Sequence, residues 1–193
     1  QLAKENRKFV YQLVRPGARA REYEDAILWL EQAGLVNKVL LSKAPKLPLK
    51  AYDDLGTFKL YTLDLGVLRK LSELDASILL LPTPAYTEYK GALAENYILQ
   101  SLTAQFQMPF RYWTSGNKAE VDFLLQYINQ IYPIEVKADQ NIQGKSLIQY
   151  EKLFQPACRI RYSMLNLKQD GNLLNIPLFL ADKTRELLGV INV

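Results

Sequence analysis

The chain has 193 residues, 49% hydrophobic and 23% charged, with a net charge of +4, and this composition is typical of a globular protein with one sizeable core or two small ones. It contains no histidine, which excludes histidine-based triads and most zinc catalytic sites. No apolar run approaches the roughly 20 residues of a membrane span, and the single Cys158 excludes an internal disulfide. We therefore expect a cytoplasmic protein whose chemistry uses carboxylates, lysine, tyrosine or a hard metal ion.

The beginning of the chain is basic and has no targeting pattern. Gln1 is not an initiator residue, so we expect the C-terminal part of a longer protein. Residues 1–21 carry six Lys or Arg against one Glu, a local charge of +5. Such a stripe can hold phosphates, but the preferred explanation is a solvated helix face or a surface that contacts a missing N-terminal part.

Residues 1–84 predict a winged-helix-like unit. The periodicity and the Pro and Gly breaks indicate two helices and then two strands, at Glu5–Val14, Arg21–Ala33, Leu35–Ser42 and Phe58–Leu63. Asp64 is a good N-cap for a further helix that begins at Leu65. The second helix is acidic, whereas a helix that reads a DNA groove should be basic, so we expect this unit to pack against neighbours.

Residues 85–193 predict an α/β layer fold around a central mixed sheet. The Pro82–Pro84 segment marks the boundary before it. The expected order is helix, three strands, helix, two strands and helix, with the helices at Thr87–Phe106, Lys145–Phe154 and Asp182–Leu188 and the last two strands at Arg159–Met164 and Asn175–Leu180. Tyr112 and Trp113 fit core aromatics better than a base-stacking platform.

Two strands of this unit carry charged residues at the spacing of a metal site. Asp122 lies in the apolar strand 119–124, and Glu135 and Lys137 share a face of the strand 133–137 because they are two residues apart. A hairpin turn centred on Asn129-Gln130 would join the strands. Two carboxylates and an ammonium group that converge can hold Mg²⁺ and polarise a water molecule, whereas Glu135 and Lys137 alone could form a simple ion pair.

This pattern resembles the PD-(D/E)xK nuclease superfamily. Its members carry a Glu on the first helix, an Asp on the second core strand and a (D/E)xK triplet on the third, and Glu95, Asp122 and Glu135-Val136-Lys137 match these positions. The resemblance implies a restriction-endonuclease-like fold for residues 85–193. It also implies that Glu95, Asp122, Glu135 and Lys137 are catalytic and that Asp122, Glu135 and Glu95 hold Mg²⁺ or Mn²⁺.

The whole chain resembles the C-terminal region of bacterial ATP-binding proteins of the AAA type. Those proteins carry a P-loop ATPase domain, a winged-helix segment and a nuclease-like domain. The segments that carry the resemblance are Lys4–Phe9, Arg15–Ala20, Trp29–Leu35, Lys59–Gly66 and Tyr89–Tyr97. The P-loop pattern G-x-x-x-x-G-K-[ST] does not occur here, so the implied partners are an ATPase domain outside this sequence and DNA or RNA, with no membrane.

Two functions follow from these features. One is a nucleic-acid-related domain of an AAA-type ATPase that hydrolyses phosphodiester bonds with a divalent metal ion, as the set of Glu95, Asp122, Glu135 and Lys137 indicates. The alternative is a catalytically inactive regulatory or protein-interaction module of the same ATPase, which the modest net charge and the acidic second helix favour.

Overall fold

The computed structural model describes residues 8–73, 84–116, 118–138 and 144–191. Its strands are β1 (Val36–Ser42), β2 (Asp53–Thr62), β3 (Arg111–Thr114), β4 (Glu120–Tyr127), β5 (Gln130–Val136), β6 (Arg159–Ser163), β7 (Lys168–Asp170) and β8 (Leu173–Pro177). Its α-helices are α1 (Glu24–Gln32), α2 (Leu65–Leu71), α3 (Pro84–Phe106), α4 (Lys145–Phe154) and α5 (Thr184–Ile191). The strands form one mixed sheet in the order β2-β1-β3-β4-β5-β6-β8-β7, which confirms the predicted α/β class.

The N-terminal segment contributes α1 and the antiparallel pair β1–β2. The helix predicted at Glu5–Val14 is wrong in its described part, where only Tyr11–Leu13 forms a 3-10 turn; residues 5–7 lie outside the described ranges. The Phe9 N–H donates to the Phe58 carbonyl at 2.7 Å, and the two rings stack with centroids 5.5 Å apart. Because this N–H bonds to a distant strand, residue 9 cannot continue a helical hydrogen-bond ladder.

The sheet runs across the predicted domain boundary. β1 pairs in parallel with β3 through Leu40 and Leu41, so both predicted units share one sheet. Beside this junction, Arg111 on β3 donates two hydrogen bonds of 2.9 Å to the carboxylate of Asp53 on β2. The boundary at residue 84/85 stays a prediction, since residues 74–83 lie outside the described ranges.

Helices cover the two faces of the sheet. Ile98 and Leu102 of α3 are fully buried in a core cluster that includes Phe123 and Leu125 of β4. On the other face, α4 packs its apolar side chains against Leu124 and Val121. The aromatic pair Tyr112 and Trp113 is buried in these two clusters, as predicted for core residues.

The local patterns predicted most of the remaining elements. α4 begins and ends where its periodicity indicated, and the Asp64 side chain caps α2 by accepting the Val67 N–H at 2.9 Å. The turn between β4 and β5 lies one residue earlier than predicted, at Ile128-Asn129, where both residues have positive φ and Asn129 suits that conformation. The short strand β7 was not predicted. No helix in the described part of the chain is both long and apolar enough to cross a membrane.

Candidate active site

An irregularity in β4 places Asp122. Arg111 of β3 pairs with Leu124 of β4, and Trp113 pairs with Val121. The two β3 residues are two positions apart, whereas their partners on β4 are three positions apart, so β4 contains one extra residue. The extra residue is a β-bulge, which redirects a side chain and often ends regular pairing. The Asp122 carboxylate accepts a hydrogen bond of 2.7 Å from the backbone N–H of Val136. Asp122 therefore joins β4 to the carboxyl end of β5, where the predicted triplet lies.

Glu135 and Lys137 form an ion pair at the end of β5. Val136 packs in the core cluster with α3, so its two neighbours point to the other side of the strand. Their side chains approach to 2.9 Å, with Glu135 3% exposed and Lys137 31% exposed. Burial lowers the pKa of Lys137, but the hydrogen bond to Glu135 and the negative charges around it hold that pKa above its ordinary value.

One oxygen of Glu135 is buried without a partner. The ion pair uses Oε1, whereas Oε2 has no hydrogen-bond partner among the described residues. A buried carboxylate oxygen without a donor or a cation is costly, of the order of 1–3 kcal/mol. Such an atom is expected where a site binds a further positive or proton-donating group.

Glu95 enters the site from α3 and is held by β2. The Tyr61 hydroxyl donates a hydrogen bond of 3.0 Å to Glu95 Oε2. Burial, followed by the charges of Glu95 and Asp122, raises the pKa of Tyr61 well above its ordinary value, so the hydroxyl remains a donor. The helix and β2 thus meet at this carboxylate, whose charge also acts on Asp122 of β4.

Lys59 is a buried cation that the sequence analysis missed. It is 1% exposed on β2, forms an ion pair with Glu120 at the start of β4, and lies 5.0 Å from the Tyr112 ring centroid. Burial lowers its pKa, but the negative charges of Glu95, Asp122 and Glu120 outweigh this and raise it. The available signal was a lysine inside the apolar run Phe58–Tyr61, more than sixty residues before Asp122.

Burial and the charges of the site together determine the pKa of Asp122. Burial raises its pKa well above the ordinary value, and the charge of Glu95 raises it further. Lys59 and the Val136 N–H act in the opposite direction. The structure thus brings Asp122 into electrostatic contact with Glu95, Glu135 and Lys137, and adds Lys59.

The donor set fits a divalent cation in part. A bound cation would give Glu135 Oε2 a partner and would stabilise the ionised form of Asp122, which burial disfavours. Carboxylate oxygens are also the preferred ligands of Mg²⁺. Among the described residues, however, no three His, Cys, Asp or Glu side chains are placed to hold one ion. The assignment of Asp122, Glu135 and Glu95 as one metal set stays a prediction.

Two family models match separate parts of the chain. Residues 90–179 match a domain of unknown function (DUF4143), and residues 1–78 match another domain of unknown function (DUF8612). DUF4143 is a domain found in bacterial proteins associated with AAA ATPases. Neither a curated protein nor a solved structure matches this chain. All four predicted site residues lie in the DUF4143 segment, whereas Lys59 and Tyr61 lie in the DUF8612 segment.

Proposed function

We propose that this chain is a nucleic-acid-processing domain that works with an AAA-type ATPase and hydrolyses phosphodiester bonds with a divalent metal ion. The observation that carries the proposal is the buried Glu135 Oε2, which has no hydrogen-bond partner among the described residues. It lies on the residue that pairs with Lys137, and the following backbone N–H, that of Val136, binds the Asp122 carboxylate. The occurrence of DUF4143 in proteins associated with AAA ATPases supports the ATPase partner.

Each residue has a role that its surroundings support. Asp122 and Glu135 would hold Mg²⁺ or Mn²⁺, and when bound such an ion lowers the pKa of a coordinated water and acts as a Lewis acid. Lys137 is partly exposed and stabilises negative charge on the phosphate as a compact cation. Glu95, oriented by the Tyr61 hydroxyl, accepts a hydrogen bond from water on the helix side of the site.

Lys59 is a positioning residue in this proposal. Its side chain is buried, so it does not reach a substrate, but its charge opposes the repulsion between Asp122 and Glu95. This keeps two carboxylates close together before a cation binds. Asp122 is then in place for the metal ion, and Glu95 for the water, at a lower reorganisation cost.

Cleavage of labelled single-stranded and double-stranded DNA and RNA tests the proposal. Wild-type protein in Mn²⁺ or Mg²⁺ should cleave at least one of these substrates, and EDTA or Asp122→Asn should abolish cleavage. Asp170→Asn is the matched control, because Asp170 is 65% exposed on β7 and far from the site in the sheet order. Unchanged cleavage in Asp122→Asn would refute the assignment.

A regulatory module is the second candidate. It is favoured by the engagement of Lys137 with Glu135 and by the lack of a three-ligand group among the described residues. In that case neither the wild type nor Asp122→Asn cleaves any substrate. Calorimetric titration then detects no Mn²⁺ binding that depends on Glu135, so the wild type and Glu135→Gln give the same result. Cleavage or site-dependent Mn²⁺ binding would exclude it.

A further inference from the structure

A cavity lies at the carboxyl ends of three neighbouring parallel strands. β5, β6 and β8 run parallel, and Ala138, Met164 and Leu178 follow their last residues and line a cavity of about 580 Å³. In open α/β sheets, ligands bind in crevices outside the carboxyl ends of the strands. This volume is within the range of small-molecule sites, about 300–1,000 Å³.

The other wall of the cavity is basic and apolar. One face of α3 supplies Lys90, Leu93, Ala94 and Tyr97, at the i, i+3, i+4 and i+7 positions of a helix, and α2 supplies Arg69. Among the described residues, those that line the cavity include these two cations and no Asp or Glu. The cavity therefore suits a ligand with an apolar or aromatic body and an anionic group.

The cavity adjoins the candidate active site through the chain itself. Ala94 precedes Glu95 on α3, and Ala138 follows Lys137 after β5. The cavity and the candidate active site therefore share α3 and the chain at the end of β5. We propose that the cavity binds an unstacked nucleotide of single-stranded nucleic acid, next to the phosphate that the active site cleaves, and this inference rests on the proposed function.

The proposal defines the substrate class. A base can enter such a cavity only when it is unstacked and unpaired, and extracting it from a duplex costs a few kcal/mol. Tyr97 offers an aromatic ring for stacking, and such contacts tolerate every base. Single strands, flaps or frayed ends should therefore bind more tightly than a blunt duplex.

The test measures binding without cleavage. Fluorescence anisotropy in EDTA compares fluorescein-labelled dT20 with a blunt 20-base-pair duplex. We expect dT20 to bind the wild type more tightly, and Leu93→Trp, which fills the cavity without changing charge, to weaken dT20 binding about tenfold. The double variant Arg69→Gln/Lys90→Gln should weaken binding and reduce the salt dependence by about two counterions.

A matched control separates the cavity from general charge. Lys152→Gln/Lys168→Gln removes the same charge from two exposed positions, in the last turn of α4 and on the edge strand β7, and it should retain most of the binding. Equal loss in both double variants, unchanged binding in Leu93→Trp, or no dT20 binding by the wild type would overturn the inference. Binding through the cavity without any cleavage would refute the nuclease activity alone, whereas cleavage unaffected by the cavity variants would refute this inference alone.

Discussion

Replacing Lys59 tests whether the buried cation stabilises the carboxylates of the site. Lys59→Met keeps the unbranched apolar stem and removes only the charged end. The variant loses the ion pair with Glu120 and the contact with the Tyr112 ring. It also removes a cation that opposes the repulsion between Asp122 and Glu95. We expect a less stable protein that retains its fold.

The structure sets the magnitude of this loss. Removing one partner of a fully buried pair costs about 3–5 kcal/mol. Lys59 is 1% exposed, but Glu120 is 45% exposed and regains hydration when the partner is lost, which reduces the cost. We therefore expect Lys59→Met to lower the free energy of unfolding by about 2 kcal/mol. Lys168→Met, in an exposed pair with Asp170, should cost less than about 1 kcal/mol.

A double-mutant cycle with Asp122→Asn isolates the electrostatic part. Because Lys59 supports the ionised form of Asp122, Asp122→Asn should be more favourable in the Lys59→Met background, with a coupling energy of about 1 kcal/mol or more. Urea unfolding in EDTA at pH 7.5, followed by tryptophan fluorescence, measures all four proteins. If the stability changes of Lys59→Met and Asp122→Asn add within about 0.5 kcal/mol, the electrostatic coupling of Lys59 with Asp122 is refuted.

The same cycle has a defined pH dependence. The pKa of Asp122 is raised above 3.8 in the folded protein, so the folded state binds the proton more tightly than the unfolded state. The contribution of Asp122 to wild-type stability therefore falls as the pH rises from about 4 toward the folded pKa. The stability gained by Asp122→Asn should increase with pH, and a gain that is larger at pH 5 than at pH 8 would contradict the burial of this charge.

Three further measurements test other parts of the structure. Asp53→Asn should lower the free energy of unfolding by about 3–5 kcal/mol, because Arg111 then keeps a buried charge, whereas Asp170→Asn should change it by less than about 1 kcal/mol. Burial raises the pKa of Tyr112 to about 12, so the contribution of Tyr112 to stability falls as the pH rises from about 10 to 12. In urea unfolding, Tyr112→Phe should therefore lose less stability than the wild type between pH 9 and pH 12. Cys158 is buried with a raised thiol pKa, so its reaction with a disulfide reagent at pH 8 should be about 100-fold slower in the native protein than in denaturant, and equal rates would show an accessible thiol.

The predictions that succeeded depend on local pattern. α4 and α3 were recognisable because apolar residues recur at helical spacing, and β4 and β5 because apolar residues alternate or run together between turn residues. The Glu135–Lys137 contact followed from the period of two in a strand, since neighbours two apart share a face. Where a local pattern competed with a tertiary contact, as at Phe9, the tertiary contact decided the structure.

The amino-acid sequence by itself determined the chemistry available, which is carboxylates and lysines without histidine, and the strand and helix that carry each group. Only the tertiary structure decided how these groups meet. The bulge in β4 connects the Asp122 carboxylate to Val136, and the parallel pairing of β1 with β3 draws β2 into the sheet, which brings Lys59 and Tyr61 to the site. The physical reason is that the spacing of apolar residues predicts which face of a helix or strand is buried. Bulges and the order of strands in the sheet depend instead on contacts between residues far apart in the chain.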